Sequence, residues 1–114
     1  MAGRLTTHVL DLALGRPAEG VRVELRRLSD PADAHLAAGT TNADGRLDAP
    51  LLEGDRFAPG LYELVFHAGD HLRATGQPDG FLDTVPIRVR LSEPTHYHVP
   101  LLLSPFGYST YRGS

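Results

Sequence analysis

Val85-Pro-Ile-Arg-Val-Arg-Leu91 places an aliphatic side chain at every second position. That period of two is what a strand with one buried face requires, because successive side chains point to opposite sides of a sheet. Pro86 has no N–H to give to a ladder, so it belongs at a strand start, a bulge or an edge. Val21-Arg-Val-Glu-Leu25 repeats the alternation, and Leu5 to Leu10, Leu61 to His67 and Tyr97 to Leu103 are leucine-rich, β-branched or aromatic runs bounded by Gly or Pro. Between these runs, Gly15-Arg-Pro-Ala18, Asn42-Ala-Asp-Gly45, Ala58-Pro-Gly60 and Ser104-Pro-Phe-Gly107 preset or permit turn dihedrals, and Asp44-Gly45 is the strongest hairpin signal. Many short strands in a chain of 114 residues predict an all-β fold, a two-sheet β-sandwich with one core.

Two segments do not alternate. Ser29-Asp-Pro-Ala-Asp-Ala-His-Leu-Ala-Ala38 has Asp30 as a cap, Pro31 at a first helical position and helix formers after it, so locally it reads as a helical turn. Ala68-Gly-Asp-His-Leu-Arg-Ala-Thr-Gly76 is the better candidate for a single short helix, with Asp70 as cap and Gly76 as stop. The sequence contains no internal repeat, linker or low-complexity tract.

Composition narrows the function. The chain is 41% hydrophobic and 22% charged with a formal charge of -3, ordinary globular usage with no basic run of the kind nucleic-acid binding needs. It has no cysteine, which removes disulfides, thiolate metal sites and a thiol nucleophile together. The N-terminal residues lack a signal-peptide pattern, the apolar runs are too short for a bilayer, and Arg-Gly-Ser is no peroxisomal address; a cytoplasmic protein with no membrane partner is the expectation.

Chemistry is left to His, Arg, Asp, Glu, Ser, Thr and Tyr. Of six histidines, His8, His96 and His98 fall in strand-like sequence. His96 and His98 share one face while Tyr97, Val99 and Leu101 take the other, toward the core; His8 shares a face with Thr6 and Leu10, opposite Leu5, Thr7 and Val9. Any one of them alone reads as a surface residue. Together they allow a zinc site, disfavoured because no nearby carboxylate completes it, or proton transfer at neutral pH, for which imidazole is suited. Arg46 follows the Asp44-Gly45 turn and is suited to bidentate binding of a planar, oxygen-rich substrate and of an oxyanion, although a lone turn arginine is usually just solvated. Pro105-Phe-Gly-Tyr-Ser-Thr-Tyr-Arg-Gly-Ser114 is unusually aromatic and strand-prone for a terminus, so something is expected to hold it down. Ser109 and Thr110 lack a paired base and read as tail-strand hydroxyls.

Leu5-Thr-Thr-His-Val-Leu-Asp11, Thr41-Asn-Ala-Asp-Gly-Arg46, His96-Tyr-His-Val-Pro-Leu-Leu-Leu-Ser-Pro105 and Tyr111-Arg-Gly-Ser114 together resemble the 5-hydroxyisourate hydrolases of the transthyretin-like family, in the family's order and over nearly the whole chain. The Tyr-Arg-Gly-Ser ending is the most specific part, since it separates the hydrolases from their hormone-carrying relatives. The resemblance implies a prealbumin-like sandwich of about eight strands with one short helix over Asp70 to Thr75. It also makes Leu36 to Thr41 a strand, against the local helical reading. It implies a homotetramer with active sites in a channel at the dimer–dimer interface, where a neighbouring subunit's terminal residues meet the imidazoles. His71-Leu72 departs from the aromatic pair often found in that helix. The implied activity is hydrolysis of 5-hydroxyisourate to the ureidoimidazoline product, without metal or cofactor. The family's positions fall on His8, Arg46, His98 and Ser114 for catalysis, and on His8, Arg46, Tyr111, Arg112 and Gly113 for substrate binding. A small-molecule carrier is the alternative, disfavoured because an apolar ligand would have to desolvate His8, His98 and Arg46. A purely structural sandwich module is the third reading.

Overall fold

In the computed structural model, which describes residues 3–113, two sheets enclose one core. The first carries β1 (Arg4–Asp11), β2 (Arg16–Pro17), β5 (Leu52–Glu53), β8 (His96–Ser104) and β9 (Gly107–Thr110), in the order β2-β1-β8-β9 with β5 also on β1. The second carries β4 (Asp33–Thr40), β3 (Arg22–Arg27), β6 (Gly60–Phe66) and β7 (Val85–Leu91), in that order. A single 3₁₀ turn at Gly54–Arg56 and the helix α1 (Ala68–Ala74) complete the described elements.

The alternation in the sequence becomes the two faces of each sheet. Leu5, Val9, Leu101 and Leu103 point inward from one sheet against Val23, Leu25, Leu64, Phe66, Val85 and Ile87 from the other, all buried. Each such side chain contributes about 1.5–3 kcal/mol by leaving water, so a one-residue slip would expose a whole row and the register is tightly specified. β1 and β8 run parallel, from Arg4 opposite His96 to Asp11 opposite Leu103, while every other ladder is antiparallel. Pro86 lies on the edge strand β7 opposite Val65, where no outer neighbour needs its missing N–H.

The helical reading of Ser29 to Ala38 is overturned. From Asp33 the segment is strand β4, antiparallel to β3 with Leu25 opposite Ala37 and Arg22 opposite Thr40. Asp30 caps nothing; the Asp33 carboxylate instead accepts from the His35 N–H at 2.9 Å. Ladder hydrogen bonds to β3 outweigh a helix preference that a short segment cannot realise alone. The helix α1 is where it was expected, but its N-cap is His67, not Asp70, which sits inside the first turn and pairs with Arg73. There its charge suits the helix N-terminus without capping it. Gly76 follows the C-cap Thr75 with φ +69°, the left-handed conformation in which Gly ends helices.

His71 is fitted into the packing of α1 by a hydrogen bond. Buried in α1, its Nε2 lies 2.7 Å from the buried Asp11 carboxylate at the end of β1. Asp11 also accepts from the Leu14 N–H and the Gln77 amide, each at 2.8 Å. Burial alone would raise the Asp11 pKa; the bonds from His71, Leu14 and Gln77 outweigh it and hold the carboxyl below its ordinary value.

Candidate active site

The parallel pairing of β1 with β8 assembles the site. Thr6 lies opposite His98 and Arg4 opposite His96, so the outward faces of the two strands place three imidazoles and a hydroxyl side by side. The rings of His8 and His98 are 6.2 Å apart, as are those of His96 and His98. Between the second pair the Thr6 hydroxyl lies 2.7 Å from His96 Nε2 and 2.8 Å from His98 Nδ1. Among the described residues no group of three His, Cys, Asp or Glu side chains is placed to hold a metal ion.

Arg46 reaches this face through its turn. Gly45 N–H donates to the Asn42 carbonyl at 2.9 Å and Asn42 N–H to the Arg46 carbonyl at 2.8 Å, which closes a hairpin-type turn at Asp44-Gly45 as the sequence foretold. The turn does not sit at the tip of two ladder strands, however. It is fastened inside by the Asn42 side chain, whose oxygen accepts from the N–H groups of Asp44 and Arg46 at 2.9 and 3.2 Å, and outside by β1. There Val9 N–H donates to the Gly45 carbonyl at 2.8 Å, and Arg46 forms an isolated antiparallel bridge with His8. Gly45 is required twice over: its φ is +76°, and a Cβ would lie 2.4 Å from the Val9 carbonyl oxygen. Asn42 and Gly45, which hold Arg46 beside the imidazoles, were legible in the sequence as turn formers, while their part in placing Arg46 was not; the Asx-turn preference of Asn42 was the available signal. A cleft of about 120 Å³ adjoins the cluster, lined by Thr6, Thr7, Arg46 and residues Leu47 to Pro50.

The tail is fastened as expected, though to its own chain. β9 pairs with β8, Thr110 donates to the Pro100 carbonyl at 2.7 Å, and Gly113 N–H donates to the His98 carbonyl at 2.7 Å. The Arg112 guanidinium stacks 4.2 Å over the Tyr97 ring and reaches the His96 carbonyl at 3.4 Å. Tyr111 is 56% exposed and makes no aromatic contact among the described residues. Ser114 lies outside the described residues. Gly113 is a gauge of close approach, because a Cβ there would meet His98 Cδ2 at 2.7 Å. Gly113→Ala is therefore expected to lift the tail or turn the ring, lowering kcat/KM by about tenfold to a hundredfold, the order of loss a displacement near 1 Å produces, with Tm unchanged; steady-state rates and a thermal melt check it.

Electrostatics favours neutral imidazoles. Burial, and after it the Arg46 guanidinium, His8 and His96, lower the His98 pKa. Burial and Arg46 likewise lower that of His8, against the partial opposition of its bond to the Asp44 carbonyl. Burial, Arg4 and Arg112 lower that of His96. His8 Nε2–H donates to the Asp44 carbonyl at 3.0 Å, which fixes its tautomer and leaves Nδ1 unprotonated in the neutral ring. Three unprotonated imidazoles beside a guanidinium with no hydrogen-bond partner among the described residues can accept a proton from water and hold a negative oxygen.

Residues 5–113 match the family described as "HIUase/Transthyretin family". A 5-hydroxyisourate hydrolase 2 of Rhizobium meliloti (strain 1021) is 59% identical, covering 99% of this chain and 98% of the relative. The structure of Klebsiella pneumoniae 5-hydroxyisourate hydrolase superposes with a TM-score of 0.85 at 37% identity, over 98% of this chain and 99% of that one. Sea bream transthyretin in complex with thyroxine superposes with a TM-score of 0.86 at 26% identity, over 96% and 94%.

Proposed function

The chain belongs to the HIUase/transthyretin family, and on that premise we propose that it hydrolyses 5-hydroxyisourate to 2-oxo-4-hydroxy-4-carboxy-5-ureidoimidazoline, as a single domain and without a cofactor. The observation that carries this reading is the convergence of His8, Arg46, His98 and the tail residue Gly113 on one outward sheet face. A carrier of an apolar ligand would have to strip water from the same groups with nothing to offset the cost.

His98 takes a proton from a water as its oxygen attacks the lactam carbonyl of the six-membered ring. Arg46 binds the substrate's carbonyl oxygens and the oxyanion that forms. As the tetrahedral intermediate collapses, the carbon–nitrogen bond breaks, the ring nitrogen leaves with the proton from the imidazole, and the former carbonyl carbon becomes a carboxylate. His8 assists from the other side of the ring, and Tyr111 and Arg112, with Ser114, wall the pocket. Activated carbonyls of this kind ask for positioning and one proton transfer, worth about 10²–10⁴ for the acid–base part.

A homotetramer closes the open face in this reading, with the sites in a channel between dimers; light scattering at the mass of four chains supports it, and a monomer overturns it. The direct test of the activity follows the ultraviolet absorbance of freshly generated 5-hydroxyisourate. Loss no faster than in buffer sinks the proposal. The acid limb of kcat/KM is expected below the ordinary histidine value of about 6.5, because a base whose pKa is lowered stays unprotonated further into acid; a pH series of initial rates reads it.

A further inference from the structure

We propose that Thr6 is a positioning residue for the hydrolysis argued above, holding His98 in the tautomer that can act as base, with His96 as the group that anchors Thr6. The inference rests on that reading of the site in assigning the base to His98. Its geometric ground is independent: one threonine hydroxyl lies within hydrogen-bond distance of a ring nitrogen on each of two histidines, His96 Nε2 at 2.7 Å and His98 Nδ1 at 2.8 Å.

A hydroxyl has one proton to donate and lone pairs to accept with. Between two neutral imidazoles it serves both only by donating to one nitrogen and accepting an N–H from the other, so the two tautomers are coupled. If Thr6 donates to His98 Nδ1, the His98 proton sits on Nε2 and the far side of the ring offers a donor, useless to a water that must lose a proton. If Thr6 donates to His96 Nε2, it accepts from His98 Nδ1–H, and His98 Nε2 carries a lone pair. Only the second arrangement gives a base. His98 Nδ1 is the nitrogen engaged by Thr6, and Nε2, without a hydrogen-bond partner among the described residues, is the one left for a substrate water.

The pair is held from every side. Thr6 is fixed in β1 opposite His98 in the parallel ladder, and Gly113 covers the His98 backbone. The charged and titratable groups facing the pair are Arg46 and His8 toward His98, and Arg4 and Arg112 toward His96. Burial first, and the cations after it, lower the pKa of both rings and so favour their neutral forms, and a neutral His96 Nε2 is what the Thr6 proton needs as its acceptor. The Thr6 hydroxyl is engaged by both rings, so its loss acts on the chemical step and not on substrate affinity.

The test uses the full chain with Thr6→Val, which keeps the shape and removes the hydroxyl, and Thr6→Ser, which restores it. Long-range ¹H–¹⁵N correlation spectra of the histidine side chains report which nitrogen of each ring is protonated. Expected in the wild type are His98 protonated on Nδ1 and His96 with an unprotonated Nε2. In Thr6→Val, His98 moves to the Nε2–H form that free histidine favours. kcat falls by about tenfold to a hundredfold, a part of the roughly 10²–10⁴ that a general base contributes in full, KM stays the same, and Thr6→Ser recovers most of the loss. A wild-type His98 protonated on Nε2 overturns the proposal, and so does a Thr6→Val enzyme with unchanged kcat. A wild-type chain with the expected tautomers but no turnover overturns the hydrolase reading and leaves the hydrogen-bond assignment standing.

Discussion

His98→Ala lowers kcat for 5-hydroxyisourate by about 10²–10⁴, the full contribution of a general base, and leaves the melting temperature close to that of the unchanged chain. The large effect follows from position: His98 is the ring at the centre of the cluster. It is 6.2 Å from the His8 ring, 6.2 Å from that of His96, bonded to Thr6, and covered by Gly113. The small stability effect follows from burial. Its neighbours in β8, Tyr97, Val99 and Leu101, carry the core contacts on the opposite face, and His98 itself is only half-buried. His8→Ala is the informative control. Its Nε2–H is tied to the Asp44 carbonyl, so it can offer only Nδ1, and a loss smaller than that of His98→Ala is expected. If His98→Ala retains full turnover while His8→Ala does not, the roles are exchanged.

What the sequence discloses here, and what it withholds, divides along the range of the interactions. The two-residue alternation is local, so the faces of β1, β3, β7 and β8 were legible, including imidazoles outward and Tyr97, Val99 and Leu101 inward. The Ser29-to-Ala38 segment misled because its helix signals are local too, whereas its strand state is decided by pairing with β3, the strand before it in the chain. Asp70 has the chemistry of a cap, but the helix starts two residues earlier, where Ala68 and Gly69 pack into buried positions and Gly69 N–H meets the Asp83 carbonyl at 2.8 Å. The family resemblance supplied strand β4 and the list of site residues, yet no motif states that β1 and β8 are parallel. That pairing joins residues about ninety positions apart and brings Thr6 between two histidines. Thr6 was visible only as a neighbour of His8 on one face. The need for glycine at 45 and 113 depends on carbonyl and ring positions that exist only after folding.

Arg46→Ala is expected to cost about 10²–10³ in kcat, the loss found when a donor to a developing oxyanion is removed, and Arg46→Lys separates the two jobs the guanidinium does. The first job is geometric: a planar fork holds two oxygens of a flat substrate, which an ammonium cannot copy. The second is electrostatic: after burial, the Arg46 charge is the next cause that keeps His8 and His98 below their ordinary pKa. Lysine keeps the charge and loses the fork, so Arg46→Lys lowers the rate while the acid limb of kcat/KM stays in place. Alanine loses both, so the residual activity of Arg46→Ala has its acid limb moved to higher pH, since a base relieved of a neighbouring cation binds its proton more readily and is lost sooner on acidification. The fold tolerates both changes because the turn is held by its backbone and by Asn42 rather than by the Arg46 side chain. Identical acid limbs in Arg46→Ala and the wild type would remove Arg46 from the electrostatics of the histidines, and an undiminished rate would remove it from the site altogether.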